Sequence, residues 1–525
     1  MTAQCDCPVG FNGKRCQKTE VGVVPNGFAW SSPIGGCIEA HLSLYFVGQP
    51  ASGSSITSPL LLLYAGPVGL TEVTSGRTHQ GDFIAVELVS SSSLSVAYDL
   101  GSGPTKGTLS MSNSVNIFDG SWHRLDLWLT SKSSGAVVGM MVDQCAGPGT
   151  CLLEVPYSPI SNLNVALNTG LNPLQLGGRI DMSNPTQYPS SLSKNGFDGG
   201  IRDLIFNGET LDLYQRGTGL NAYTRHPSLA ASCQSTSGAD LCLNRGKCIG
   251  RWAGSAGSGS CECHAGYRGA FCEMQVRSRD ISTVNSYLQI SMNALPTNLV
   301  TFTDLHLQFR TRSPNGAILF WPSNQPNYFK NQSIEVGLRN GQLTARLNFG
   351  DFVFREVTLA RTNINDGMWH SFRIIRTLNS YMLTLDDASA AGMAKILLPT
   401  TQSLNTFALG NAIYLGSRVE SARAGDQTVV SSFAPGCVSD LRVNGVWLPV
   451  TDSEQNDLRS SSPVTSIMSV GTTADNCQAD TPCPTSGITC PGSLTCVPSW
   501  RPTNGYFCGY VTNIQCASPR KRRIN

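Results

Sequence analysis

Apolar and polar residues alternate in short runs along most of the chain. Ala40-His41-Leu42-Ser43-Leu44-Tyr45-Phe46, Phe83-Ile84-Ala85-Val86-Glu87-Leu88 and Leu305-His306-Leu307-Gln308-Phe309 are clear cases, and Tyr381-Met382-Leu383-Thr384-Leu385 is a less strict one. A period of two places alternate side chains on opposite faces of a strand, so these runs predict antiparallel strands with one buried face. Gly, Asn and Ser stretches between them predict turns. No long run has a helical period. Two large stretches carry this pattern, about 17–232 and 281–477, and the fold class they predict is all-β, with two β-sandwiches of jelly-roll type.

The two stretches repeat each other in order, which marks them as two copies of one unit. Asp119-Gly120-Ser121-Trp122-His123 returns as Asp366-Gly367-Met368-Trp369-His370. Leu174-Gln175-Leu176-Gly177-Gly178-Arg179 returns as Ile413-Tyr414-Leu415-Gly416-Ser417-Arg418. Gly199-Gly200-Ile201-Arg202-Asp203-Leu204-Ile205-Phe206-Asn207-Gly208 returns as Gly436-Cys437-Val438-Ser439-Asp440-Leu441-Arg442-Val443-Asn444-Gly445. The first motif predicts a turn leading into a strand, with its Trp in the core and its His on the other face. The last predicts a closing hairpin, because Asn-Gly suits the left-handed positions of a tight β-turn. A catalytic reading of His123 or His370 needs a nucleophile and an orienting group beside it, and the sequence offers neither.

Composition adds a compartment. The chain has 525 residues, 14% of them charged, a net charge of +2 and 19 cysteines. So little net charge gives no broad basic face for nucleic acid. So many cysteines belong in an oxidising, extracellular space. An odd number leaves at least one without a partner in the chain. The richest apolar run, Pro59 to Gly66, is far shorter than the ~20 residues of a membrane helix, and no signal-peptide pattern follows Met1. The expectation is therefore a piece of a longer exported protein. Arg520-Lys521-Arg522-Arg523 close the chain as a basic tail (517–525), read as a solvated end, a protease cut site or the start of a juxtamembrane stretch.

Cysteine spacing divides the rest. Cys5-x-Cys7 followed by Gly10-Phe11-Asn12-Gly13 and Cys16 is repeated by Cys261-x-Cys263 followed by Gly266-Tyr267-Arg268-Gly269 and Cys272. This resembles the second half of an EGF-like module. A complete six-cysteine copy occupies 233–272, the C-terminal half of one occupies 1–16, and a degenerate one occupies 483–516, with Tyr510 where C-x-C is due. The resemblance implies the pairs Cys233–Cys248, Cys242–Cys261, Cys263–Cys272 and Cys7–Cys16. It leaves Cys5 without a mate, since that mate belongs upstream of Met1.

The three repeated motifs of the large domains resemble those of laminin G-like domains. That resemblance implies a bridge from the cysteine of the closing hairpin to one at the domain end, which fits Cys437–Cys477. Gly200 stands at that place in the first copy. Cys145 and Cys151 are the local pair expected there, with Cys37 left over. The pairing of Cys37 and of the last five cysteines is open. Many laminin G-like domains hold a calcium ion at the sandwich rim, and oxygen ligands suit that hard cation. Asp82 and Asp351 are weak candidates, with a solvated loop acid as the better reading of each. No cofactor is required otherwise. Asn331-Gln332-Ser333 is an N-glycosylation sequon.

Module order, together with Asn26-Gly27-Phe28-Ala29-Trp30, Cys37 to Leu44, Met141 to Cys145, Gln308 to Arg312 and Cys496-Val497-Pro498-Ser499-Trp500, resembles the region beside the membrane in invertebrate classical (neural-type) cadherins. Flamingo-type cadherins are the second choice. The resemblance implies calcium-dependent cell adhesion by the whole receptor. This stretch has no cadherin-repeat calcium motif, transmembrane segment or catenin-binding tail. The expected role is thus non-catalytic: a spacer or ligand-binding platform meeting other cell-surface or matrix proteins, or glycans. It would be extracellular, and attached to the membrane only through sequence outside this chain. The alternative is a secreted or matrix laminin G-like protein that binds a glycan or receptor.

Overall fold

The computed structural model describes residues 17–477, interrupted mainly at 49–55, 144–149, 158–165, 181–187, 214–221, 294–302, 324–331, 387–391, 399–408 and 417–434; beyond that range it describes only Phe11–Asn12, Thr495–Pro498 and Tyr506–Gly509. The described chain is built from strands, with short helices only at Pro227–Ala230, Ala231–Cys233 and Asp452–Leu458.

Each large stretch folds as an eight-stranded sheet packed on a seven-stranded one. In the first, the eight-stranded sheet runs Leu152–Tyr157, Gly135–Val142, His123–Lys132, Glu39–Gly48, Gly199–Phe206, Glu20–Val23 and Ala222–Tyr223, with Glu209–Thr210 beside the closing strand. In the second, the same places are taken by Met393–Leu397, Ser380–Leu385, His370–Arg376, Thr303–Thr311, Gly436–Val443, Ser278–Ile281 and Thr473–Asp475, with Val446–Leu448. The second sandwich thus begins at Ser278, ahead of the 281 boundary read from the sequence.

Alternation explains the packing of the second sandwich. Along Thr303–Thr311 buried and half-buried residues alternate without a break. Leu305, Leu307 and Phe309 point inward and are fully buried, meeting Phe372, Ile374 and Leu383 from neighbouring strands. Tyr381–Leu385 also alternates cleanly, because Met382 lies half-exposed on the outer face. Full burial of each such Leu or Phe contributes roughly 1.5–3 kcal/mol.

The first sandwich departs from this pattern. Every residue of Ser93–Asp99 is buried, and so is nearly all of Leu60–Ala65. Its seven-stranded sheet is covered on the outer face as well, by Tyr188 and Leu192 over Leu61, Tyr64, Phe83, Ala85 and Ala97. Ser193 N–H fixes this roof by donating to Glu87 at 2.5 Å. A strand buried on both faces needs no polar face, hence the unbroken Leu60-Leu61-Leu62-Leu63.

Three residues per repeat take the left-handed conformation at equivalent places: Asp143 and Asp386, Asp203 and Asp440, Asn207 and Asn444, all with φ between 48° and 52°. Asp and Asn tolerate this region better than other side chains. Asn207-Gly208 and Asn444-Gly445 are the hairpin turns of the closing strands. Asp203 and Asp440 sit where the register of those strands shifts, a β-bulge in each.

Candidate functional site

The turn Asp-Gly-x-Trp-His sets one repeated constellation. His123 places Nδ1 2.7 Å from Asp143 and Nε2 3.2 Å from Asp119. His370 repeats this with Asp386 at 2.8 Å and Asp366 at 3.1 Å. Both ring nitrogens are committed to carboxylates, so neither is free to act as a general base. Burial alone would lower each imidazole, yet the flanking carboxylates outweigh it and both pKa values rise above the ordinary 6.5. A group raised on folding stabilises the fold below its unfolded pKa and loses that contribution as pH climbs through the folded one. We therefore expect stability from these clusters to be complete below about pH 6.5 and to decline above it. Histidine titrations followed by NMR on the intact chain, read beside denaturant midpoints, check this. Midpoints that rise through the same range would contradict it.

The tryptophans of this turn do not pack in the core. Trp122 is half-buried and Trp369 is 37% exposed. Each stands one residue before its strand, outside the alternation that selects inward positions, and what covers Trp122 is the neighbouring cysteine-rich module.

That module is the centre of the molecule. Its six cysteines form Cys233–Cys248, Cys242–Cys261 and Cys263–Cys272. The hairpin Gly246–Ile249 with Ser260–Cys263 puts Cys248 opposite Cys261. The sulfurs and Leu241 form its small core. On one side it is held by the first bulge. Lys247 Nζ reaches Asp203 at 3.0 Å, and Arg202 bridges Asp203 at 2.7 Å and Glu262 at 3.2 Å. Arg202 also lies over the rings of Tyr45 and Trp122, 4.6 and 4.9 Å from their centroids. Burial would raise the Asp203 carboxyl, but Lys247 and Arg202 hold it below its usual range. Arg225 pairs with buried Glu20 and donates to Cys248 O at 2.8 Å.

On the other side the second bulge does the same work with different residues. Asp440 accepts Gly266 N–H at 2.7 Å. Arg442, paired with Asp440 at 2.7 and 3.0 Å, donates to the carbonyls of Cys263, His264 and Tyr267. Arg268, buried, lies 4.8 Å over Trp447 and meets Glu454 and Asp457 at 3.4 and 3.3 Å. Glu454 accepts Arg277 N–H at 2.7 Å. Ionised hydrogen bonds of this kind are roughly twice as strong as neutral ones. The two sandwiches also meet directly, through Lys395 and Glu209 at 3.5 Å. The left-handed aspartates are the feature that sequence reading passed over. Their signal was present in the repeated Asp of the closing motif, read there as a hairpin residue only.

The remaining candidates are scattered. Cys437 and Cys477 are bonded, closing the second sandwich. With Asp280 they form the group of metal-type ligands among the described residues. Two of its three members are disulfide sulfurs with no thiolate to offer, so it is a covalent clamp and not a metal site. Cys151 is disulfide-bonded, while Cys145 lies outside the described residues. So do Cys5, Cys7, Cys16, Cys37, Asn331 and Asp351. Asp82 stands just before the Phe83–Ser90 strand, accepting Asn168 N–H at 2.8 Å. Burial raises its pKa, and the nearby Asp99 adds to that. Asp99 itself accepts two N–H groups of its own loop, from Gly101 and Gly103. Two carboxylates thus share one rim.

The profile of the laminin G domain matches residues 58–209 and 309–446. The chain belongs to the laminin G domain family. Neural-cadherin 2 of Drosophila melanogaster is 30% identical over 518 residues, which is 96% of this chain and 27% of that protein. Neural-cadherin of the same organism is 28% identical over 525 residues, 96% of this chain and 16% of its own length. The human cadherin EGF LAG seven-pass G-type receptor 3 is 24% identical over 477 residues, 86% of this chain and 13% of the receptor. The chain therefore spans about a quarter or less of these relatives. Among solved structures, the LG1-3 region of the laminin alpha2 chain covers 86% of this chain and 65% of its own, at 15% identity and a TM-score of 0.30. The closing hairpin and bulge of each sandwich, 199–208 and 436–445, lie within the matched residues.

Proposed function

We propose that the chain is an extracellular, non-catalytic part of a cadherin-type adhesion receptor and acts as a stiff spacer near the membrane. The observation that carries this reading is the central module, held from both sides by ion-paired bulges. A spacer must transmit force and orientation, and a joint fixed at Asp203 and at Asp440 resists bending where a bare linker would not. Similarity to neural-cadherins over nearly the whole chain supports the receptor class. No helix of the described residues is long and apolar enough to cross a membrane. Homophilic adhesion then belongs to other parts of the receptor. Beads coated with this chain should stay dispersed with and without calcium. Strong aggregation would show that the chain is itself the adhesive surface.

We also propose that a calcium ion binds at the first rim. Asp82 would supply the carboxylate, with backbone carbonyls beside it, and the Asp99 carboxylate lies close enough to act on the same rim. Millimolar calcium should raise the melting temperature of the intact chain, and Asp82→Asn should abolish that increment. An equal calcium effect in the variant would remove Asp82 from the site.

A further inference from the structure

The first laminin G domain shows what its Asp-Gly-x-Trp turn is for. Trp122 donates its indole N–H to Gly250 O, at 2.8 Å, in the central module. Gly120, in the same turn at φ 81°, lies under Trp252, where an added Cβ would be 3.5 Å from the Trp252 Cβ. Trp252 in turn stacks on His226, with centroids 4.6 Å apart. The segment just after the third cysteine of the module, Gly250–Trp252, is therefore what covers the turn.

The second domain repeats the turn and lacks the cover among the described residues. Gly367 has φ 76°, Trp369 is 37% exposed and Met368 is 54% exposed. Arg310 lies 6.0 Å from the Trp369 ring, as Arg202 lies over Trp122. The chain repeats the cover as well. Strands Thr495–Pro498 and Tyr506–Gly509 pair with Cys496 opposite Cys508, as Cys248 pairs opposite Cys261. After the pivotal cysteine, Cys248-Ile249-Gly250-Arg251-Trp252 is matched by Cys496-Val497-Pro498-Ser499-Trp500. Ser499 and Trp500 themselves lie outside the described residues. Proline at the Gly250 place keeps the carbonyl that this contact uses and lacks only the N–H, which the contact does not use.

The point of departure agrees. Cys477 is bonded to Cys437. The equivalent of Cys437 in the first domain is Gly200, and an added Cβ there would come 2.9 Å from the far edge of Trp122. The disulfide thus anchors the outgoing chain at the place equivalent to the one that touches Trp122 in the first domain. The sequence separation from the last strand of each sandwich to the first cysteine of the next module is also similar, Tyr223 to Cys233 and Asp475 to Cys483.

We propose that the cysteine-rich segment 483–516 docks on the Asp366–Trp369 turn of the second laminin G domain through Pro498–Trp500. In that docking the Pro498 carbonyl would accept the Trp369 indole N–H, and Trp500 would take the place over Gly367 that Trp252 takes over Gly120. The docking stands on the repeat alone. Its consequence, that the spacer stays stiff past Cys477, rests on the function proposed above.

Hydroxyl-radical footprinting of the full chain, read by mass spectrometry at single residues, tests it. Trp369 should oxidise as slowly as Trp122. Trp500→Ala should raise the Trp369 rate several-fold and leave Trp122 unchanged, and Trp252→Ala should do the reverse. Trp369 oxidising several-fold faster than Trp122 in the unaltered chain would overturn the proposal without any variant. So would slow oxidation of Trp369 that Trp500→Ala does not change, or that disappears on dilution, since a different occupant or a second copy would then be the cover. Loss of protection at Trp122 in the unaltered chain would count against the central joint and the spacer reading instead, so the two failures are distinct.

Discussion

Arg442→Ala should lower the stability of the second laminin G domain with its central module by about 3–5 kcal/mol, the usual cost of stranding a buried charge. Asp440 is fully buried, and Arg442 is its guanidinium partner. Removing the guanidinium leaves that carboxylate with Gly266 N–H and, 3.9 Å away, His306. His306 is a poor replacement, because burial holds its pKa below the ordinary value and keeps it neutral. Three carbonyls of the module, at Cys263, His264 and Tyr267, lose their donor in the same step. Arg442→Lys should recover only part of the loss, since one ammonium cannot reach all of these acceptors from a single fork. Denaturant unfolding supplies the free energies, and amide exchange at Gly266 and Tyr267 reports whether the loss is at the joint. A variant as stable as the parent, with unchanged exchange there, would show that the bulge does not hold the module.

Replacing Cys437 and Cys477 together by alanine should cost about 4 kcal/mol, the loop-closure value for a link spanning 40 residues. The bridge ties the closing strand to the end of the domain, so its loss leaves the Thr473–Asp475 strand held by its pairing with Ser278–Ile281 and by side-chain contacts. The first domain has Gly200 in place of the cysteine. Its terminal strand, Ala222–Tyr223, makes the equivalent pairing with Glu20–Val23 without a bridge from that place, where Leu229 packs against Gly200. A shift in melting temperature confined to the second domain is the expected calorimetric result. An unchanged transition would mean that packing alone closes the sandwich.

Much of this architecture was legible in the sequence, for physical reasons that apply residue by residue. Alternation in Leu305-His306-Leu307-Gln308-Phe309 gave the strand and its inner face, because burial in a sheet has a period of two. Asn207-Gly208 and Asn444-Gly445 gave the hairpins, because few other pairs accept two left-handed positions. Other features were not legible. Trp122 and Trp369 read as core residues on size and apolarity, yet they stand before the first inward position of their strands. Tyr188 as a roof over Tyr64 depends on a contact between residues far apart in the chain, which no local pattern encodes. The joint is the same case. Asp203 with Lys247 and Arg442 with Tyr267 join modules whose sequences carry no mark of each other. Each left-handed aspartate is visible as a repeated residue, but what it faces depends on how the modules stack.

Small-angle scattering of the full chain in solution tests the stiff joint most directly. The account predicts a distance distribution with a fixed separation between the two laminin G domains, fitted by one arrangement, and a broadened one in Arg442→Ala. Scattering of the unaltered chain that requires many relative orientations of the two domains would contradict it.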